Sequence, residues 1–425
     1  MGRLRNLLLV LQGKLWLIPS AFSVAGFLLA VWLLGFRGGP SELWWLNSGD
    51  AATARGLLSN LLSGLITMTS LVVSVTFVTL TLAANQLGPR LISIFMSDRQ
   101  IQGVLGIFLG TTVYVLVVLR TLNDSLGPSA SPHLAVTVAS ALTLVCLFAL
   151  LFYVHKVARS IIADTVVERV ASDLSHNIRA LLTADGEDDP DPPPLAPEDG
   201  ESIALGKSGY VQTIDYGALV ACAASIDGVL EVNVRAGHFV LSRGDHVVVH
   251  ARSPATDMAE DIRDAFVIGG ERLPTQDIEY AIRQLVEIAL RALSAGVNDP
   301  FTAVAVIDRL GAAMEEALSR SLEPRQLHDE HGVLRVIANR TDMDGLVGAA
   351  FDLIRQAADG HVAVLIRMAD IMGMLAPVLE TQSRRAVFGQ LLKLAETARV
   401  APLTPGDRTS VLERIEAAQQ RVEAR

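Results

Sequence analysis

The chain has 425 residues, of which 51% are hydrophobic and 19% charged, and its mean hydropathy is +0.40. Soluble proteins carry about 25% charged residues, so the deficit excludes an ordinary soluble protein and indicates membrane spans. The formal net charge of −10 argues against a nucleic-acid partner, which requires basic surfaces. The two cysteines, Cys146 and Cys222, give no basis for a disulfide framework or a cysteine metal site.

The first uncharged run extends from Leu15 to Phe36 and follows a short basic segment with Arg3, Arg5 and Lys14. It is long enough for a helix to cross the hydrocarbon core of a bilayer, which is about 30 Å thick. No small-residue cleavage site precedes a mature domain, so we interpret the run as a transmembrane helix and not as a signal peptide.

The second run, from Gly56 to Gly88, contains no charge and is rich in hydroxyl groups. Six polar side chains follow one another at helical spacing and share one face: Ser63, Thr67, Ser70, Ser74, Thr81 and Asn85. Lipid offers these groups no hydrogen-bond partner, so we predict that the face turns toward protein or water. Two interpretations stay open, namely close packing against another helix and the lining of a pore.

Two further spans follow, Ile101–Leu119 and Leu134–Val154. Gly106 and Gly110 in the third span are four residues apart, a small-xxx-small pair that favours close contact between helices. Basic residues precede the first span, separate the second from the third, and directly follow the fourth. By the positive-inside rule we therefore predict four spans with both termini in the cytoplasm.

The remainder of the chain has an ordinary, acidic composition. Residues 161–184 are predicted to form an amphipathic stalk helix, and residues 185–205 an acidic, proline-rich, disordered linker. Short alternating runs predict a small β domain over residues 206–253, and helical periodicity dominates residues 254–425. The predicted fold is thus a membrane α-helical domain of four transmembrane helices (residues 1–160) plus a cytoplasmic α+β region with a small β domain and a helical C-terminal bundle.

Two long segments of the sequence resemble a known family. The first, from Ala51 to Thr121, includes the uncharged second span, and the second, from Ile268 to Leu310, includes Asn-Asp-Pro-Phe-Thr-Ala at residues 298–303. Both are similar to the bacterial predicted-membrane-protein family called domain of unknown function 2254, although Ser294–Ala295 stands where relatives usually have Ser-Pro. The resemblance implies a four-span protein of the bacterial inner membrane with a cytoplasmic C-terminal region, and it supplies no catalytic residues.

A charge-rich segment before and within this motif is a second candidate site. Its members are Arg272, Gln276, Asp277, Arg283, Arg291, Asn298 and Asp299. Because arginine side chains recognise carboxylates and phosphates, the segment is a candidate site for a small anionic ligand. The competing interpretation is a structural set of helix caps and ion pairs at a helix corner or subunit interface, in which Asp299 caps a helix with Pro300 in its first turn.

Motifs for nucleotide binding, hydrolysis and zinc-dependent chemistry are missing from the sequence, and His328–His331 is expected to be a solvated turn. We therefore expect no enzymatic activity and no cofactor. The first hypothesis is a homo-oligomeric channel or passive transporter for ions in the lipid bilayer, lined by the second span and gated by the cytoplasmic domain. The alternative is a membrane-anchored sensor or scaffold that binds a small anionic ligand or a partner through the arginine-rich segment.

Overall fold

The structure, a computed structural model, describes residues 16–35, 51–87, 96, 98–122, 133–160, 163–182, 200–251 and 258–424. The chain divides into an N-terminal unit, Met1–Thr165, and a C-terminal unit, Val166–Arg425. Each unit has its own core of buried apolar side chains, so each is described separately.

The N-terminal unit contains four described helices: α1 (Leu17–Gly35), α2 (Ala51–Leu87), α3 (Arg99–Thr121) and α4 (His133–Ser160). By length and composition, each is able to cross a membrane. The four predicted spans are therefore confirmed as long apolar helices. Helix α3 begins two residues before the predicted span because the Asp98 carboxylate accepts hydrogen bonds from the backbone N–H groups of its first turn.

Helix α3 is the central helix of this unit, since 61% of its apolar window is buried against 17–28% in the other three helices. Its glycines approach α1 at very short range. A Cβ atom on Gly110 would lie 2.6 Å from the carbonyl oxygen of Phe22, and one on Gly106 would lie 2.9 Å from the Phe22 ring. The predicted close contact at Gly106 and Gly110 is confirmed, and its partner is α1.

Helix α5 (Ala163–Leu181) leads into the C-terminal unit and buries one stripe of side chains: Val166, Val170, Leu174 and Ile178. The stripe follows the helical period, so an apolar face of this helix packs inside the unit. Residues 161–162, with which the predicted stalk begins, lie outside the described residues.

Two small sheets follow. The first has the strand order β1 (Gly200–Ile203), β5 (Val247–His250), β3 (Val229–Val232), β8 (Leu334–Ala338) and β7 (Gln326–His328). Its strands β3 and β8 are parallel, whereas the other neighbouring pairs are antiparallel. The second sheet is antiparallel, with the order β4 (Phe239–Val240), β2 (Gly209–Ile214) and β6 (Phe266–Gly269). Two helices, α6 (Tyr216–Ser225) and α7 (Ala259–Asp264), contribute Leu219 and Ile262 to the core of this region.

The rest of the unit is helical: α8 (Ile278–Ala292), α9 (Pro300–Leu318), α10 (Met343–Ala357), α11 (Val362–Met374), α12 (Thr381–Val400) and α13 (Pro405–Glu423). All six helices agree with the helical periodicity of the sequence. The predicted cap at Asp299 is confirmed, because its carboxylate accepts hydrogen bonds from the backbone N–H groups of Phe301 and Thr302, with Pro300 in the first turn.

Three features differ from the sequence prediction. Helix α6 was not predicted; it is capped by Asp215, whose side chain accepts a hydrogen bond from the backbone N–H of Ala218. Strand β1 occupies residues 200–203, within the predicted linker, because it pairs with β5. The five-stranded sheet also takes β7 and β8 from beyond the predicted β domain. Residues 185–199, most of the predicted linker, and residues 183–184, the end of the predicted stalk, lie outside the described residues.

Candidate functional site

The hydroxyl face of α2 lies on the outside of the N-terminal unit. Five of its six predicted members are exposed: Ser63, Thr67, Ser70, Ser74 and Thr81. The side chain of the sixth, Asn85, lies outside the described residues. In the part of the chain that the structure describes, the other three apolar helices leave this face uncovered, so its hydroxyl groups meet the surroundings of the unit.

Several hydroxyl groups on this face donate to the backbone of their own helix. Thr67 Oγ1 donates to the carbonyl oxygen of Ser63 at 2.9 Å, and Ser63 Oγ donates to that of Ser59 at 3.0 Å. Thr81 Oγ1 makes the same bond to Phe77 at 2.9 Å. These bonds satisfy the hydroxyl donors and leave the oxygen lone pairs available as acceptors.

The opposite face of α2 packs inside the unit and carries a polar contact that the sequence analysis did not find. Tyr153 Oη of α4 lies 2.6 Å from Thr76 Oγ1 and 3.2 Å from the carbonyl oxygen of Val72. Both side chains are buried, and Leu58 and Leu65 lie on the same face of α2. The contact joins residues far apart in sequence, so no local pattern signals it.

A cleft in the C-terminal unit lies beside the start of α8. Its empty volume, counted to its open mouth, is about 550 Å³. The end of α5, the start of α6 and the segments next to β3, β8 and α9 complete its wall. The polar and charged residues that line it are Tyr216, Arg235, Gln276, Asp277, Glu279, Glu323, Asn339, Arg340 and Thr341.

Glu279 is the buried centre of one ion-pair network in this cleft. Its carboxylate accepts hydrogen bonds from Arg235 Nη2 at 2.6 Å and Arg283 Nη2 at 3.2 Å, and also from the hydroxyl group of Thr341. Arg235 Nε in turn donates to His238 Nε2 at 3.1 Å. Burial, followed by the charge of Arg235, lowers the pKa of His238, so this ring is a neutral acceptor.

Asp277 is the centre of a second network and also the cap of α8. Its carboxylate accepts from Arg272 Nη2 at 2.5 Å and from the backbone N–H of Tyr280 at 2.9 Å. Gly237 approaches it closely: a Cβ atom there would lie 1.8 Å from Asp277 Oδ2, and the φ angle of Gly237 is +87°. Only glycine adopts this φ angle without strain and also leaves room for the carboxylate.

Arg340 closes the cleft on the side of α6. Its guanidinium carbon lies 4.0 Å from the centre of the Tyr216 ring, and it forms an ion pair with Glu323. Burial is the main cause that raises the pKa of Tyr216. The guanidinium groups of Arg235, Arg272 and Arg340 thus already hold carboxylates, and an anionic ligand must compete with these partners.

The structure divides the predicted arginine-rich segment between two places. Arg272, Gln276, Asp277 and Arg283 lie around the start of α8, whereas Arg291, Asn298 and Asp299 lie at its other end, about 20 Å away along the helix axis. Gln276 is engaged with the backbone, because its side-chain amide exchanges two hydrogen bonds with Ile214.

At the far end of α8, the polar residues determine the conformation of the backbone. Asp299 Oδ2 accepts from Thr302 Oγ1 at 2.6 Å, and this bond is the main cause that lowers the pKa of Asp299. Asn298 has a φ angle of +50°, in the left-handed region that asparagine tolerates better than most residues.

His328 is the last residue of β7, and the rest of the His328–His331 segment lies in the turn between β7 and β8, as predicted. Asp329 accepts hydrogen bonds from the backbone N–H groups of His331 and Val333 and from Arg335 Nε, which is 2.7 Å away. The bond from Arg335 is the main cause that lowers the pKa of Asp329 to about 2. Among the residues that the structure describes, no group of three or more His, Cys, Asp or Glu is placed to hold a metal ion.

Four apolar helices of membrane-spanning length, followed by a unit of helices and small sheets, define an integral membrane protein with a large α+β region. Residues 12–374 match the family described as Predicted membrane protein (DUF2254), and the chain belongs to this family. Similar proteins are Uncharacterized protein Mb1321c of Mycobacterium bovis and Uncharacterized protein Rv1290c of Mycobacterium tuberculosis. Each is 29% identical over 426 residues, which cover 97% of this chain and 81% of the relative. No solved structure matches the chain.

Proposed function

We propose that this protein is a homo-oligomeric channel or passive transporter for ions in the bacterial inner membrane, with the hydroxyl face of α2 lining the path. The supporting observation is that this face is exposed on the outside of the N-terminal unit. Inside a bilayer, a row of oxygen acceptors finds polar partners only in protein or water. An oligomer that arranges α2 around a common axis provides both.

The chemistry of the face favours cations. Because Ser63, Thr67 and Thr81 donate to their own helix, their oxygen atoms turn lone pairs outward. Oxygen ligands that replace part of a hydration shell, at several weak sites in a row, suit the passage of a cation. The run Gly56–Gly88 has no ionisable side chain, so passive conduction fits better than proton-coupled pumping. In this proposal the C-terminal unit lies in the cytoplasm and gates the path.

The test is a flux measurement on the purified full-length protein reconstituted into liposomes. We expect potassium flux above that of empty liposomes, with lower flux for a large organic cation. Ser74→Leu places an apolar branched side chain on the exposed face and should lower the flux severalfold. Flux no greater than in empty liposomes, across several salts and membrane tensions, contradicts the proposal.

Two threonines of α2 provide a matched pair of variants. Thr67 lies on the exposed face, whereas Thr69 is half-buried and donates to Leu65 at 2.7 Å. Both substitutions to valine remove one hydroxyl group and keep the shape of the side chain. Thr67→Val should alter the flux or its ion selectivity, and Thr69→Val should leave both unchanged. Equal effects of the two variants would show that the hydroxyl face does not line the path.

A second candidate function, a membrane-anchored sensor, is supported by the position of the cleft. Leu181 and Leu182, at the end of α5, line the cleft. Helix α5 follows α4, the last described helix that is long and apolar enough to span a membrane, with two residues between them. A small ligand that displaced the Arg340–Glu323 ion pair would therefore contact the end of α5 directly.

Thermal-shift screening of the full-length protein against small carboxylates and phosphates tests the sensor. A saturable rise in melting temperature that Arg340→Gln abolishes supports it. The control is Arg414→Gln, which breaks a different ion pair, with Asp370, in the helical region. Ligand binding that survives Arg340→Gln excludes the cleft as the site.

A further inference from the structure

Between Ser63 and Thr81, the hydroxyl face of α2 is interrupted once, by two apolar side chains. Its hydroxyl residues follow one another at three or four positions from Ser63 to Ser74, and the next is Thr81, seven positions further on. Phe77 and Val78 occupy the positions where the helical period would place another hydroxyl group. Both are exposed, Phe77 by 66% and Val78 by 57%. The face is thus polar on both sides of one apolar turn.

Helix geometry places both side chains on this face. Each residue of an α-helix turns by about 100°, so Phe77 and Val78 lie about 50° to either side of the mean direction of the five exposed hydroxyl residues. Val73 is also exposed but lies about 90° from that direction. An ion path lined by the hydroxyl residues of α2 would therefore be lined by Phe77 and Val78 as well, with Val73 at its side.

Buried hydroxyl groups fix the rotation of α2 at the apolar turn. Thr76 Oγ1 lies 2.6 Å from Tyr153 Oη of α4, and both side chains are buried. Thr79, three residues later, is buried on the same side of the helix. Because Thr76 and Thr79 are held inside the unit, Phe77 and Val78 between them are held outward.

The apolar turn separates the oxygen atoms along the face. Ser74 and Thr81 are seven residues apart, which is about 10 Å along the helix axis. The hydroxyl groups between them, those of Thr76 and Thr79, are turned inward. A cation that exchanges hydration water for hydroxyl oxygens would find none on this face over that distance. Apolar side chains in a narrow path also exclude water, and such hydrophobic constrictions gate channels by dewetting.

We propose that Phe77 and Val78 form the constriction that limits the rate of ion passage, with the Phe77 rings of neighbouring copies of α2 narrowing the path. This inference rests on the proposed function, because it requires that the hydroxyl face lines the path. It adds to that proposal the residues that set the barrier. Both residues belong to α2, so the inference does not depend on the position of the C-terminal unit.

The test measures potassium flux from liposomes that contain the full-length protein. Phe77→Ser and Val78→Ser each replace an apolar side chain by a small hydroxyl group and should raise the flux severalfold, because water and the ion then enter the turn more readily. Phe77→Trp, which keeps the turn apolar and enlarges the ring, should lower it. Retention of a large entrapped dye shows that a higher flux is not a leak through damaged bilayers.

Two matched controls place serine elsewhere on the outside of the unit. Phe148 of α4 is 66% exposed, as Phe77 is, and Val73 is an exposed valine of α2 that lies off the hydroxyl face. Phe148→Ser and Val73→Ser should leave the flux at the wild-type level. Only variants that elute like the wild type in size-exclusion chromatography are compared, and Val78→Ser carries the test if Phe77→Ser does not fold.

The outcomes separate the constriction from the proposed path. If the wild type conducts and Phe77→Ser and Val78→Ser conduct at the same rate, the constriction is overturned and the path is not. If neither the wild type nor either variant conducts, the proposed path is overturned and the constriction with it. A rise that Phe148→Ser shares equally also overturns the constriction, because the effect then does not depend on the hydroxyl face.

Discussion

The crossing of α1 and α3 gives the sharpest structural prediction, the effect of Gly110→Ala. The added Cβ atom would lie 2.6 Å from the carbonyl oxygen of Phe22 and 3.1 Å from its carbonyl carbon. Both atoms belong to the backbone of α1, so no side-chain rotation relieves the clash. Moving the oxygen out to an ordinary contact of 3.4 Å requires α1 to shift by about 0.8 Å, a degree of overpacking that typically costs about 1–3 kcal/mol.

Gly103→Ala is the matched control on the same helix, because a Cβ atom at Gly103 meets nothing within 4 Å. Both variants replace a helical glycine, so both gain the same helix propensity, about 1 kcal/mol in water. Unfolding of the detergent-solubilised full-length protein, followed by tryptophan fluorescence, should show Gly110→Ala less stable than Gly103→Ala by about 1–3 kcal/mol. Equal stability of the two variants would refute the tight crossing. Gly26→Ala, whose Cβ atom would lie 2.2 Å from the Gly110 carbonyl oxygen, tests the crossing from α1.

Two predictions concern the C-terminal unit. Gly237→Ala should lower the melting temperature clearly more than Gly206→Ala. Both glycines have positive φ angles, but only at Gly237 does the new Cβ atom meet a carboxylate, that of Asp277. Equal losses in the two variants would mean that backbone strain alone causes the destabilisation. The second concerns His246, whose Nδ1 accepts from the backbone N–H of Leu205 at 3.1 Å and whose pKa is lowered by burial. The unfolded chain, with a histidine pKa of about 6.5, then binds the proton more readily, so stability is retained above about pH 6.5 and is lost as the pH falls below it. His246→Asn keeps an acceptor that does not titrate, and its melting temperature should fall less than that of the wild type between about pH 7 and pH 5; identical pH profiles would contradict this account.

Local patterns predicted most of the secondary structure because their physical causes are local. An uncharged run of about nineteen or more residues has no stable state in water except deep burial, and the four spans followed from this alone. Likewise, the Asp299–Pro300 pair predicted the start of α9, since a carboxylate cap and a proline in the first turn act within three residues. Helix α6 was missed because Tyr216–Ser225 lies between β-rich runs and shows no polar face by which to recognise a helix.

Contacts between distant segments were not predictable from one sequence. Nothing local indicates that Gly237 approaches Asp277, or that β3 pairs in parallel with β8 across about a hundred residues. The hydroxyl face of α2 shows the same limit. Its spacing specified which side chains share a face, but the helix has a second polar contact, Thr76 with Tyr153, on the face that turns inward. Which face meets the other helices is decided by packing and not by the presence of hydroxyl groups.

A difference between the cleft and the hydroxyl face of α2 is the reason for proposing conduction ahead of sensing. The two arginines that line the cleft, Arg235 and Arg340, are each matched by a carboxylate, so the free energy of binding an anion is opposed by the loss of an existing ion pair. The hydroxyl face of α2 has no such internal competitor, because its oxygen acceptors face outward from the unit. Polar acceptors on the outside of a membrane helix are stabilised most by hydrogen bonds from a second copy of the chain or from water. For this reason the proposed conduction by an oligomer ranks above the proposed sensing by one chain.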